Sequence, residues 1–101
     1  MIEQRFYKLV SNNSSESINY TIEDGVTLYL KELGGNAVYN NNVKVEIIWN
    51  SNETLLATHG DTVQRTTKEL VGDGIKTITI KLTNDSDQSE TIGAYFIGEL
   101  H

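Results

Sequence analysis

In the run Val43-Lys44-Val45-Glu46-Ile47-Ile48-Trp49, Val43, Val45, Ile47 and Trp49 recur at every second position. Successive side chains of an extended strand point to opposite faces, whereas a helix repeats about every 3.6 residues. The run therefore puts Val43, Val45, Ile47 and Trp49 on one face and Lys44 and Glu46 on the other. Lys76-Thr77-Ile78-Thr79-Ile80-Lys81-Leu82 repeats the pattern, with Ile78, Ile80 and Leu82 inward. The same alternation groups Ile18, Tyr20 and Ile22 on a third strand, and Val26, Leu28 and Leu30 on a fourth. Strands of this kind bury one face and leave the other wet, which is the habit of antiparallel sheets.

Between the runs lie residues that supply positive φ or local side-chain hydrogen bonds: Asp24-Gly25, Gly34-Gly35-Asn36, Asn40-Asn41-Asn42, Asn50-Ser51-Asn52, Gly72-Asp73-Gly74 and Asn84-Asp85. The chain has no proline, so no strand interior loses a ladder donor. About eight strands result, near residues 4–10, 17–23, 25–33, 43–50, 54–59, 62–70, 75–83 and 90–100. The expected fold is all-β: an antiparallel two-sheet β-sandwich, with a jelly-roll winding preferred over an immunoglobulin-like one. Residues 61–72 also admit a short helix capped by Asp61 and stopped at Gly72. Three threonines and polar residues on both faces favour an exposed edge strand there. Gly72-Asp73-Gly74 reads as a tight hairpin turn, since no Lys-Ser/Thr follows it as in a phosphate loop.

The 101 residues suit one domain spanning residues 1–101, large enough to bury roughly two thirds of its unfolded surface. No cysteine is present, so packing rather than disulfides must hold the fold. Eight basic residues against fourteen acidic ones give a formal charge of -6, and the basic ones are scattered, which argues against nucleic acid as a partner. The start, Met1-Ile2-Glu3-Gln4-Arg5, does not read as a signal peptide, and no run approaches the roughly 18 apolar residues of a membrane span. The expected place of synthesis is the cytoplasm. The sequons beginning at Asn12, Asn13, Asn19, Asn52 and Asn84 read as turn chemistry.

Groups for catalysis are few. Only His59 and His101 carry imidazole, and His101, the last residue, is expected to fray. His59 reads as a strand-end histidine bonded to a neighbouring turn. No cofactor is expected, and no set of zinc ligands is spaced for a site. Asn84-Asp85-Ser86-Asp87-Gln88-Ser89-Glu90 alternates oxygens as a calcium loop does. Counting from Asp85, however, the sixth position is Glu90 and the twelfth Phe96, so a solvated hairpin loop is favoured. Fourteen acids select no glycosidase pair. The expectation is a chain that is not an enzyme. Among the aromatic residues, Trp49 falls in register with the core. Tyr39, in the loop Ala37-Val38-Tyr39-Asn40, is the exposed ring best placed to contact a glycan or a partner.

The succession Leu33-Gly34-Gly35-Asn36-Ala37, Val45-Glu46-Ile47-Ile48-Trp49, Leu56-Ala57-Thr58-His59-Gly60-Asp61, Gly72-Asp73-Gly74, Leu82-Thr83-Asn84-Asp85-Ser86 and Ile92-Gly93-Ala94-Tyr95 resembles small β-rich accessory proteins of tailed-bacteriophage virions. The similarity covers roughly residues 17–100 and consists of strand and turn signatures, so it brings no site residue with it. It implies a non-enzymatic virion component, such as a capsid decoration protein, a head-fibre base or a head or tail adaptor. Its partners would be other virion proteins, and by analogy it would be a homo-oligomer, with a trimer the first expectation. A small carbohydrate-binding β-sandwich is the alternative.

Overall fold

The computed structural model describes residues 1–101. It has nine strands and no helix: β1 (Ile2–Val10), β2 (Ser14–Thr21), β3 (Thr27–Asn36), β4 (Val43–Trp49), β5 (Glu53–Thr58), β6 (Thr62–Arg65), β7 (Glu69–Val71), β8 (Thr77–Asn84) and β9 (Glu90–Leu100). Two antiparallel sheets pack together as a β-sandwich. One has the order β1-β9-β3-β6, with β7 also on β3; the other has the order β2-β8-β4-β5. The expected strand over residues 62–70 is interrupted. Thr62–Arg65 and Glu69–Val71 both pair with β3, and residues 66–68 separate them.

The pairings nest: β1 with β9, β2 with β8, β3 with β6 and β7, and β4 with β5. The chain is thus one long two-stranded ribbon whose tip is the β4–β5 turn. Each successive segment of the ribbon lies in the opposite sheet until the β4–β5 tip is reached. Residues 72–74 consequently form no hairpin, because β7 lies in one sheet and β8 in the other. They make a corner where both ribbon strands cross together. Gly72 N–H donates to Val26 O at 2.8 Å and Gly74 N–H to Ile22 O at 3.0 Å, joining this corner to the 22–26 corner. A Cβ on Gly72 would stand 2.3 Å from Glu23 O, so only glycine permits the approach.

The corner where β1 leads to β2 and β8 to β9 is held by Asn84, which is fully buried. Its Nδ2 donates to Val10 O at 2.9 Å and Gln88 O at 2.8 Å, and its Oδ1 accepts from Ser86 N at 2.9 Å and Ser86 Oγ at 2.6 Å. Every hydrogen-bonding position of the amide that burial strips of water is thereby filled.

Seventeen buried apolar side chains fill the space between the sheets. Val45, Ile47, Ile78, Ile80 and Leu82 face inward as the alternation requires, and Tyr20 meets Phe96 edge to face with ring centroids 5.7 Å apart. Two bulges adjust the phase. The β3–β9 register slips at Lys31, so that Leu28 and Leu30 point inward before the bulge and Leu33 after it. The β4–β5 register slips at Leu55, which lets Leu55 and Leu56 both pack on the core. Trp49, expected inside, is only half-buried. It ends β4 beside Asn50, whose φ is +52°, and covers the core's margin.

Candidate functional site

All the strand glycines lie in β3 and β9, the centre of the larger sheet. Two of them, Gly34 and Gly93, lie in the rows that face solvent, and each has a tyrosine from the neighbouring strand laid across it. A Cβ on Gly93 would stand 1.9 Å from Tyr7 Cδ1, and one on Gly34 would stand 2.1 Å from Tyr95 Cε1. The missing side chains are what allow the rings to rest on the sheet.

Register gathers their neighbours. Arg5 lies opposite Tyr95, and Tyr95 lies opposite Gly34. The Arg5 guanidinium sits 4.9 Å from the Tyr95 ring centroid, a cation–π distance. It donates from Nη1 to Tyr7 Oη at 3.1 Å and from Nη2 to Glu3 Oε1 at 2.7 Å. Tyr95 Oη donates to Glu32 Oε2 at 2.7 Å. A connected row, Glu3-Arg5-Tyr7-Tyr95-Glu32, therefore crosses β1, β9 and β3 with every long side chain fixed by a partner.

The electrostatics follow these contacts. The Arg5 guanidinium hydrogen bond holds the Glu3 carboxyl below its ordinary value, and the same bond raises Arg5. The bond to Glu32, then burial, raise the Tyr95 phenol. Tyr7 keeps 41% of its surface exposed, so its free face is available to a ligand.

At the far end of the same face the β3 bulge and the gap between β6 and β7 open a groove of about 820 Å³. Tyr29, Lys31, Arg65, Thr66, Thr67 and Glu99 are among its walls. Lys31 Nζ lies 3.5 Å from Glu99 Oε1, and His101 Nε2 lies 3.4 Å from Glu99 Oε2. The His101 hydrogen bond, then the Lys31 charge, lower the Glu99 pKa. His101 is not frayed: it exchanges backbone hydrogen bonds with Thr27 at 2.9 and 3.0 Å and meets Tyr29 edge-on.

The expected contact residue, Tyr39, is 71% exposed beside Val38 at a different corner. It packs over Gly60 and donates from Oη to Asn41 Oδ1 at 2.7 Å, and none of its hydrogen bonds joins the Tyr7 row. His59 Nδ1 donates to Val43 O at 2.6 Å, closing the same corner. In the 84–90 loop Asn84 and Ser86 turn inward onto each other, while Asp85 and Asp87 are exposed. No three His, Asp or Glu side chains cluster as metal ligands would. Tyr7, Tyr95 and Arg5 do not stand out as site residues in the sequence alone. The signal was available in part, since Gly93-Ala94-Tyr95 puts a glycine and a tyrosine on one strand face, but the partner strand was unknown. No protein-family model matches this chain, and no curated protein matches it.

Proposed function

We propose that the chain is a non-enzymatic accessory component of a tailed-phage virion, a capsid decoration or head or tail adaptor protein. It works by protein–protein assembly with other virion proteins and as a homo-oligomer, with a trimer the first case to test. The nested ribbon order supports the finer reading of the sandwich as a jelly roll. The observation that carries the functional reading is the Glu3-Arg5-Tyr7-Tyr95-Glu32 row. Tyrosine and arginine dominate the energetics of protein interfaces. Side chains already fixed before docking avoid an ordering cost of about 0.5–1.5 kcal/mol each.

Light scattering on the purified chain and co-sedimentation with purified heads and tails test the proposal. A defined multimer that sediments stoichiometrically with one of them, and that loses this when Arg5→Ala and Tyr7→Ala are combined, is the expected result. A monomer that sediments with neither overturns it. A second reading, a glycan-binding module, is favoured by a separate observation: the groove holding Tyr29 at the other end of the face.

A further inference from the structure

We infer that the groove bounded by β3, residues 66–68 and the end of β9 binds a neutral oligosaccharide. The inference rests on the glycan reading alone and is independent of the virion assignment. Its first support is charge. Lys31 and Arg65 are balanced by Glu69 and Glu99 on the same walls, so the groove favours neither a phosphate nor a cation. Its second support is chemical variety. Ammonium and guanidinium donors, carboxylate acceptors and the hydroxyls of Thr66 and Thr67 converge there, which suits a ligand whose hydroxyls both donate and accept. Only Tyr29 and Leu30 are apolar, too few for a lipid or a drug-like apolar molecule.

The Tyr29 ring provides the stacking surface. Its ring is perpendicular to that of His101, at 89° with centroids 5.0 Å apart, and 37% of its residue surface remains exposed. A pyranose has an apolar C–H face that packs on such a ring while its hydroxyls reach the rim. Arg65 is the available donor. It pairs in register with Glu32, but that carboxylate accepts the Tyr95 hydroxyl, and Arg65 takes part in none of the chain's ion pairs. The β3 bulge sets Lys31 beside it, a recurrent use of bulges at binding sites. A volume near 820 Å³ falls within the roughly 300–1,000 Å³ of small-molecule sites.

The test is an amide NMR titration of the full chain with cellohexaose, maltohexaose, mannohexaose and a pentamer of N-acetylglucosamine, and with oligogalacturonate as the anionic comparison. At least one neutral sugar should shift Tyr29, Lys31, Thr66, Thr67 and Glu99 saturably at millimolar concentration. Tyr29→Ala should weaken that binding about tenfold. Arg65→Gln, a surface change that spares the fold, should weaken it about threefold or more. Thr79→Ala, on the opposite sheet, should leave it unchanged. The inference fails if no neutral sugar gives saturable shifts, if oligogalacturonate binds more tightly than all of them, or if the shifts centre on Tyr39. None of those results bears on co-sedimentation with heads or tails, so the two proposals fail separately.

Discussion

The two outward faces of the sandwich are built on different principles. On the four-stranded sheet the solvent side carries Ser17, Asn19, Thr79, Lys81 and Glu46, and its contacts are short, such as Thr79 Oγ1 to Asn19 Oδ1 at 2.6 Å. No glycine interrupts those strands. On the five-stranded sheet, glycines at 34 and 93 seat the rings of Tyr95 and Tyr7, and a cation–π contact followed by a hydrogen bond links three strands. A strand glycine costs about 0.5–1 kcal/mol relative to alanine. Gly35 and Gly98 face inward, where a Cβ would crowd Thr58 and Leu28, but on the outer face the cost is carried only at Gly34 and Gly93, where a flat, fixed aromatic surface results.

The most severe way to break the comparison is to reverse inside and outside on a single sheet. Ile80 is 1% exposed, and Ile80→Asp brings an unpaired charge between the sheets. With a total stability of about 5–15 kcal/mol, the chain should lose its cooperative unfolding transition. Ile47→Asp should do the same, while Lys44→Glu, on the outer face, should stay within about 0.5 kcal/mol of the parent. Urea unfolding followed by circular dichroism distinguishes the cases, and similar curves for all three would show the inward rows to be misassigned. Next in size is Gly34→Val. The new side chain occupies the seat of the Tyr95 ring and should destabilise by about 1–3 kcal/mol, whereas Thr79→Val on the other sheet should change little. Equal effects would mean that the rings do not depend on the glycines beneath them.

The inward rows were legible because alternation is a local property of the sequence: Val45, Ile47, Ile78 and Ile80 needed no partner strand to be read. Residues at corners were not. Gly72-Asp73-Gly74 has the composition of a hairpin turn, with Gly74 at φ +81° and Asp73 Oδ1 accepting from Ile75 and Lys76 N–H. Whether such a turn returns to its own sheet or crosses to the other depends on pairings far away in sequence. The same holds for the aromatic row. Tyr7 and Gly93 are neighbours only through the β1–β9 register, and Glu32 reaches Tyr95 only through the β3–β9 register. Tyr39 was visible because a loop tyrosine declares itself locally, and its hydroxyl bonds within its own loop, to Asn41, rather than across strands.

A milder test separates the aromatic row's role in binding from its role in folding. Tyr7 is partly exposed and can swing aside, so Gly93→Ala should leave stability within about 1 kcal/mol, the gain in strand propensity offsetting the lost contact. Because the displaced ring no longer lies flat beside Arg5, co-sedimentation with virion parts should still weaken. Full binding by a Gly93→Ala variant of unchanged stability would remove the flat ring from the assembly surface.

The smallest expected effect concerns protons. Glu3, Asp73 and Glu99 titrate below their ordinary values because of the Arg5 bond, the Lys76 and Ile75 amides, and the His101 and Lys31 contacts respectively. For each, the unfolded chain takes up a proton first on acidification, so the stabilisation is complete above 4.5 for the glutamates and 3.8 for Asp73 and is lost as pH falls through the folded values. Tyr95 behaves oppositely. Its proton is held in the bond to Glu32, so its contribution is complete below 10.0 and disappears as pH rises through the raised folded value. The five-stranded sheet thus owns a group whose contribution fails in alkali, and Tyr95→Phe should lose less stability than the parent as the pH rises above 10.0. The difference is small because Tyr95 is partly exposed and Glu32, once released, can turn to Arg65 across the β3–β6 pair. Comparing the two proteins in urea at each pH cancels the titration of the other tyrosines. Parallel alkaline limbs would mean that the Tyr95 to Glu32 bond does not persist in solution, and with it would go the fixed orientation that sets this face apart from the threonine one.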